Sequence, residues 1–252
     1  DLCPAMTEGL PPVAVIPMEG ELGGAPFTFG PGGDLTIEEF YAGQREGKFA
    51  STSQINPAVY RDAFEPCLKG GEDILYLCFS SGLSGTIQTA PLCMNELREE
   101  YPERKMLCVD TLCASVGEGL LVREALKKQA EGAAMEELAA WAEDSRLRVC
   151  HWFTVDNFEH LRHGGLVSTV AAAAGTLLQI KPLLHVDQEG RLEVIEKPRG
   201  RRRAVEAQLA RLEAGWKPEW SGDIVVGHGG VPEVGEQLRQ EVQKRRPEAK
   251  TF

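Results

Sequence analysis

The chain has 252 residues, of which 42% are hydrophobic and 26% charged, as is ordinary for a globular protein with a large core. Its formal net charge of −11 at pH 7 argues against a nucleic-acid partner, because a phosphate backbone requires a basic face. No apolar run reaches the roughly 20 residues of a membrane span, and we expect no signal peptide. Seven cysteines without C-x-x-C spacing indicate reduced thiols and a cytoplasmic protein.

The first half of the chain alternates strand and helix patterns. Residues 12–18 (PVAVIPM) predict a short strand, and a stretch rich in glycine and proline follows. Asn56 predicts the N-cap of a helix that begins with a proline. Apolar runs at 74–79 and 106–109 predict buried strands, each followed by a helix pattern. Strands that alternate with helices imply a parallel sheet, so we expect an α/β domain over residues 1–150.

The stretch at residues 74–90 is the part around which this half is organised. Small hydroxyl and glycine residues at 80–85 separate the apolar strand from a helix pattern that begins at Thr86. The free N–H groups and positive dipole end of such a helix form a ready anion site. No charged residue lies between Ile74 and Met94, so hydroxyls and backbone would hold the anion. This favours a singly charged carboxylate over a triphosphate.

The second half has a different pattern. Alternating apolar residues at 147–153 predict a half-solvated strand, Asp156 is predicted to cap a short helix, and Ser168 is predicted to cap an alanine-rich helix. Two further strands flank a predicted hairpin turn at 187–190. Hairpins mixed with helices predict a second, α+β domain with a mixed or antiparallel sheet over residues 151–252.

Four motifs lie in the order found in a known family: Thr52-Ser53-Gln54, SSGLSGTIQ at 80–88, VDT at 109–111 with GEG at 117–119, and IKPLL at 180–184. The sequence resembles the DegV family of bacterial fatty-acid-binding proteins over nearly its whole length. The resemblance implies two domains with a long-chain fatty acid buried between them, and neither a cofactor nor catalytic turnover. It also implies a fatty acid kinase as partner, which converts the presented carboxylate to acyl phosphate for phospholipid synthesis.

The resemblance assigns the carboxylate to the hydroxyls of Thr52 and Ser84, with the Gly85 amide beside them. Ser53 and Ser81 are further candidates. From spacing alone, these hydroxyls serve equally well to cap the helix and satisfy the turn backbone.

Two other functions would use the turn at residues 81–85, namely a serine hydrolase and a phosphate-binding small-molecule enzyme. Glycine stands two residues before Ser84, as in a nucleophile elbow, but Thr86 occupies the place of the second glycine, and no histidine has a triad context. A phosphate enzyme would need a catalytic carboxylate or metal pair, for which Asp110 is the obvious candidate. The spacing of His160 and His163 is too weak to predict a metal site.

The basic cluster at residues 197–203 (KPRGRRR) stands out in an acidic chain. Cations at the start of a helix oppose its dipole, so local helix stability does not account for them. The family resemblance suggests that this cluster docks the acidic surface of a kinase or makes a transient contact with membrane headgroups, whereas the simpler interpretation is a solvated face. The predicted docking residues are Arg199, Arg201, Arg202 and Arg203. One departure from the family is that its Arg-Gly-Gly-Arg motif reads His163-Gly164-Gly165-Leu166 in this sequence.

Overall fold

The structure, a computed structural model, describes residues 2–167, 179–219 and 222–252. The alanine-rich helix predicted to begin at Ser168 lies outside these residues. No helix in the described ranges is long and apolar enough to span a membrane. The elements, in chain order, are α1 (Pro4–Thr7), β1 (Met18–Leu22), β2 (Ala25–Phe29), α2 (Ile37–Arg45), β3 (Ala50–Thr52), α3 (Pro57–Lys69), β4 (Ile74–Cys78), α4 (Thr86–Glu100), β5 (Met106–Asp110), α5 (Ser115–Ala130), α6 (Met135–Ser145), β6 (Trp152–Thr154), α7 (Glu159–His163), β7 (Leu183–Val186), β8 (Leu192–Glu196), α8 (Arg201–Gly215), β9 (Asp223–Ile224), α9 (Pro232–Arg245) and β10 (Lys250–Thr251).

The first half contains the predicted parallel pair of strands. β4 and β5 run parallel, in register from Ile74 opposite Met106 to Cys78 opposite Asp110. Side chains of α3 and α4 form one buried core with this pair. The Asn56 side chain caps α3 by accepting hydrogen bonds from the next two free N–H groups. Because parallel strands end at the same edge of a sheet, the turns that follow β4 and β5 lie side by side.

The predicted strand at residues 12–18 is wrong. Residues 11–17 have no regular structure, and the strand begins only at Met18. Prolines in this segment lack the N–H that a sheet ladder needs, which outweighs the strand preference of its β-branched residues. The stretch that follows instead forms the hairpin of β1 and β2, turning at Gly23 and Gly24, both with positive φ. With β3 it makes a three-stranded antiparallel sheet in the order β2-β1-β3.

The second half contains the predicted antiparallel sheet, in the order β6-β7-β8. The hairpin turn between β7 and β8 is where the sequence predicts it, at residues 187–190. The strand predicted over 147–153 is wrong in extent, because a single 3-10 turn, Arg146–Arg148, occupies its first part. Only Trp152–Thr154 forms the strand.

Asp156 does not cap the short helix α7. The N-cap is Phe158, and the Asn157 side chain accepts from the Glu159 N–H at 2.9 Å. The Asp156 carboxylate lies 2.9 Å from the Lys181 ammonium and 2.5 Å from the Arg201 guanidinium. Two cations hold this carboxylate, so it joins the start of α8 to the strand region before β7 and does not cap α7.

A buried arginine holds the C-terminal strands against α5. Arg123 is 5% exposed, and its Nε donates to Asp223 of β9 at 2.8 Å. Its guanidinium also bonds the Met6 carbonyl and lies 4.4 Å from the ring centre of Phe252. Since β9 pairs in parallel with β10, this one side chain ties both short strands to the first half of the chain.

The two halves meet at the turn after β4. The buried Ser80 hydroxyl donates to the Gly190 carbonyl of the β7–β8 hairpin at 2.7 Å. A Cβ atom at Gly82 would lie 2.4 Å from the Glu189 carbonyl oxygen, so the two backbones touch. A second contact is made by Phe49, whose ring stacks on His163 at 4.7 Å between centroids. The boundary near residue 150 stays a prediction.

We predict that Gly190→Ala weakens the contact between the halves. Gly190 has a φ of +73°, and a Cβ atom there would lie 2.1 Å from the Ser80 hydroxyl oxygen. Backbone strain and displacement of Ser80 should together lower the free energy of unfolding by about 3 kcal/mol in urea denaturation.

Gly132→Ala is the matched control, since Gly132 has a φ of +95° but no atom within 4 Å of its Cβ position. It should cost only about 1 kcal/mol of backbone strain. If Gly190→Ala and Gly132→Ala lowered the free energy of unfolding equally, the contact between Ser80 and Gly190 would not be important for stability.

Candidate functional site

Ser80 fixes the backbone of the turn that links β4 to α4. Its N–H donates to the Cys113 carbonyl at 2.9 Å. Its carbonyl accepts from the N–H groups of Leu83 and Ser84 at 3.1 and 3.0 Å. Because its hydroxyl also donates to the Gly190 carbonyl, the N–H, carbonyl and hydroxyl groups of this fully buried serine are all hydrogen-bonded. The turn is therefore shaped before any ligand is present, as a binding site that avoids ordering costs requires.

Asp110 joins this turn to the next one. Its carboxylate oxygen Oδ1 accepts from the N–H groups of Ser81 and Leu112, both at 3.1 Å. The parallel register that places Asp110 beside Cys78 explains why one side chain reaches both turns. The catalytic carboxylate that the phosphate-enzyme interpretation needs is thus engaged with backbone.

Ser84 stands at the start of α4 and performs the local capping that its spacing allows. Its Oγ accepts from the Thr86 N–H at 3.2 Å and lies 2.9 Å from the Thr86 hydroxyl. A hydroxyl has one donor and two acceptor positions. If the Thr86 hydroxyl donates to Ser84, the Ser84 proton remains available to an anion, so capping and anion binding are compatible.

The segment that contains Thr52 runs past the start of α4. A Cβ atom at Gly85 would lie 2.3 Å from Nε2 of Gln54, so the Gln54 amide packs directly on this glycine. The Thr89 hydroxyl donates to the Ile55 carbonyl at 3.1 Å. The two motifs that lie 30 residues apart in the sequence therefore meet, with Gln54 as a contact that the sequence reasoning did not single out.

Three of the predicted residues have exposed side chains. Thr52 ends β3 opposite Gly20, and the Ser53 N–H donates to the Glu19 carbonyl at 3.0 Å. Ser81 is exposed and bonds Asp110 only through its N–H. Within the described ranges, no hydrogen bond joins Thr52 or Ser53 to Ser84. The structure brings the two motifs together, and the clamp itself stays a prediction.

The histidines have structural partners. The His151 ring accepts from the Ala114 N–H at 3.3 Å and lies 3.1 Å from the Val149 carbonyl oxygen. Burial lowers the pKa of His151 to about 4, so its ring is neutral. His160 and His163 both lie against Phe49. In the part of the chain that the structure describes, no group of histidine, cysteine or carboxylate side chains could hold a metal ion.

The basic cluster lies at the start of α8 and is partly neutralised. Arg201 pairs with Asp156, and Arg202, whose side chain is 92% exposed, lies 2.9 Å from Glu206. Arg199 forms a backbone bridge and is exposed, as is Arg203. The cluster is therefore an accessible surface on the second half.

Comparison with known proteins identifies the family. The family model described as "Uncharacterised protein, DegV family" matches residues 12–252. The chain belongs to the DegV family. A DegV domain-containing protein of Clostridium perfringens is 38% identical over 214 residues, 85% of this chain and 74% of the relative. The resemblance on which the sequence analysis relied is confirmed.

Solved structures of DegV proteins share the fold. A structure described as fatty acid binding of a DegV family protein from Thermus thermophilus has a TM-score of 0.76 and 31% identity, covering 95% of this chain and 84% of that one. The Streptococcus pneumoniae fatty acid kinase B3 protein, loaded with linoleic acid, has a TM-score of 0.81 and 22% identity, covering 94% and 82%. The predicted two-domain α/β and α+β fold is confirmed.

Glu118, in the GEG motif at the start of α5, makes the stability of the fold depend on pH. Burial raises its pKa from 4.5 to about 8. The unfolded chain releases this proton near pH 4.5 but the folded chain keeps it to about pH 8, so stability falls as pH rises through this window. Glu118→Gln should raise the free energy of unfolding at pH 8 by about 2 kcal/mol, less than full linkage gives, because the carboxyl keeps partial exposure.

Denaturation of wild type and Glu118→Gln from pH 4 to 8 measures this difference, which should shrink towards the acidic end. Glu131→Gln, at the exposed end of the same helix, serves as control and should track the wild type. A constant difference across the pH range would show that ionisation is not its source.

Proposed function

We propose that the protein binds a long-chain fatty acid between its two halves, with the carboxylate at the turn before α4. The observation that carries the proposal is an uncharged turn of hydroxyls and glycines at the start of α4, positioned where the second half meets the first. Family membership supports it, as does the 31% identical Thermus thermophilus protein described for fatty acid binding.

The proposed clamp consists of the hydroxyls of Thr52 and Ser84 with the Gly85 amide, and Ser53 and Ser81 are further proposed contacts. A hydrogen bond to a charged acceptor contributes about 1.5–3 kcal/mol. The positive end of the α4 dipole adds to this attraction without a cation. An uncharged clamp leaves the carboxylate nucleophilic, as a substrate for phosphoryl transfer needs to be.

The acyl chain would supply most of the affinity. Burial of about 16 carbons at about 0.8 kcal/mol each gives on the order of 10 kcal/mol before ordering costs. The clamp then decides which end of the fatty acid faces the partner. In this proposal the protein acts as a carrier of the fatty acid and has no catalytic turnover of its own.

The proposed partner is a fatty acid kinase, to which the chain presents the carboxylate for acyl phosphate formation. The Streptococcus pneumoniae neighbour, which bears that kinase's name, supports this role. The accessible arginines at the start of α8 suit an acidic partner surface, because complementary charge speeds encounter.

All seven cysteines are unpaired, as suits a cytoplasmic setting.

The test is mass spectrometry of an organic extract from the purified, intact protein. About one equivalent of long-chain fatty acid per chain is expected, since a tightly bound lipid stays with the protein through purification. An extract without fatty acid, together with no binding of added fatty acid, would reject the proposal.

The double variant Thr52→Ala, Ser84→Ala tests the clamp. Loss of two charge-assisted hydrogen bonds should weaken fatty acid binding at least about tenfold in a fluorescent fatty acid displacement assay. Ser51→Ala, on the same strand but outside the clamp, is the control and should bind as wild type. Because Ser84 also caps α4, the unfolding temperature is measured for each variant. Unchanged affinity in a folded double variant would remove these hydroxyls from the site.

A further inference from the structure

Thr86, the first residue of α4, has a buried hydroxyl that meets Ser84. The residue is 6% exposed, and its Oγ1 lies 2.9 Å from the Ser84 Oγ. Among the residues that the structure describes, Ser84 is the one hydrogen-bond partner of this hydroxyl. Ser84 itself is only half-buried. The two hydroxyls therefore differ in their access to other partners.

This difference in burial decides which of the two hydroxyls donates. If Ser84 donated, the Thr86 proton would be left in the interior without an acceptor, and a buried donor without a partner is costly. If Thr86 donates, its proton is satisfied, and the free proton is that of the more accessible Ser84. The hydrogen bond therefore runs from Thr86 to Ser84.

Ser84 is then able to act only as a donor towards a ligand. Its Oγ already accepts the Thr86 N–H at 3.2 Å. A hydroxyl oxygen has two acceptor positions, and the Thr86 hydroxyl fills the second one. What remains of Ser84 is its O–H group, which needs an acceptor on whatever binds at the turn.

Two further hydroxyls hold the backbone of Thr86. Its carbonyl accepts from the Thr89 hydroxyl at 2.9 Å and from the Tyr60 hydroxyl at 3.3 Å. Tyr60 is fully buried, and burial raises its pKa to about 12, so it keeps the proton that it donates. These bonds fix the first turn of α4, and the few rotamers of a β-branched side chain limit where the Thr86 hydroxyl points.

We propose that Thr86 is a positioning residue, which makes Ser84 a hydrogen-bond donor to the ligand and so favours an ionised carboxylate over a neutral head group. This inference rests on the proposed fatty acid binding and assigns a residue to its selectivity. A carboxylate oxygen accepts without donating, and its charge strengthens the bond from a hydroxyl. A fatty alcohol of the same length offers a neutral oxygen, to which a donor-only Ser84 binds more weakly.

A double-mutant cycle tests this role, with palmitate and hexadecanol as probes in a fluorescent fatty acid displacement assay. Thr86→Val keeps the shape of the side chain but removes the donor, so palmitate should bind about fivefold more weakly, the loss of one net hydrogen bond. The preference for palmitate over hexadecanol should fall with it. Thr86→Ser, which restores the hydroxyl, should bind both probes as wild type. In the Ser84→Ala background, Thr86→Val should cause no further loss, because Thr86 acts through Ser84.

Neutron diffraction from the ligand-free protein locates the two hydroxyl protons without a variant, and the Thr86 proton should point at the Ser84 oxygen. The inference is overturned if that proton points elsewhere, if folded Thr86→Val binds palmitate as wild type, or if its loss is the same in the Ser84→Ala background. Thermal unfolding shows whether each variant is folded. Wild-type protein that binds no palmitate would instead overturn the proposed function, and this inference with it.

Discussion

The hydrogen bond from the Ser80 hydroxyl to the Gly190 carbonyl is the contact on which the site depends. It is buried and short at 2.7 Å, and it joins the turn after β4 to a hairpin 110 residues further along the chain. A buried polar pair of this kind is costly to break, because each group would lose its partner away from water. The bond therefore fixes where the second half sits relative to the start of α4.

The turn at residues 80–85 contains no charged side chain. Asp110 is bonded to two backbone N–H groups, and Glu118 keeps its proton to about pH 8 because it is buried. The hydroxyls of the turn and the positive end of the α4 dipole remain to meet an anion. This combination favours a singly charged carboxylate and places no cation on its oxygens, as the proposed carrier role requires.

Local sequence signals predicted much of the fold. The Asn56 cap, the buried strands β4 and β5 and the β7–β8 hairpin lie where their patterns place them. The two errors have different causes. At residues 12–18, prolines that lack the N–H needed for a sheet ladder outweigh the strand preference of the β-branched residues. Asp156 pairs with Lys181 and Arg201, which are distant in the sequence, and does not cap the helix next to it.

The sequence by itself determined that residues 80–86 form an uncharged strand–turn–helix junction, because glycine, hydroxyl and apolar spacing act over a few residues. It also determined the family, through motifs that keep their order. Only the tertiary structure decided that Gln54 packs on Gly85, that Ser80 bonds Gly190, and that Arg123 bonds Asp223. Such contacts depend on how distant elements pack, and no local pattern encodes the geometry at which two separate turns meet.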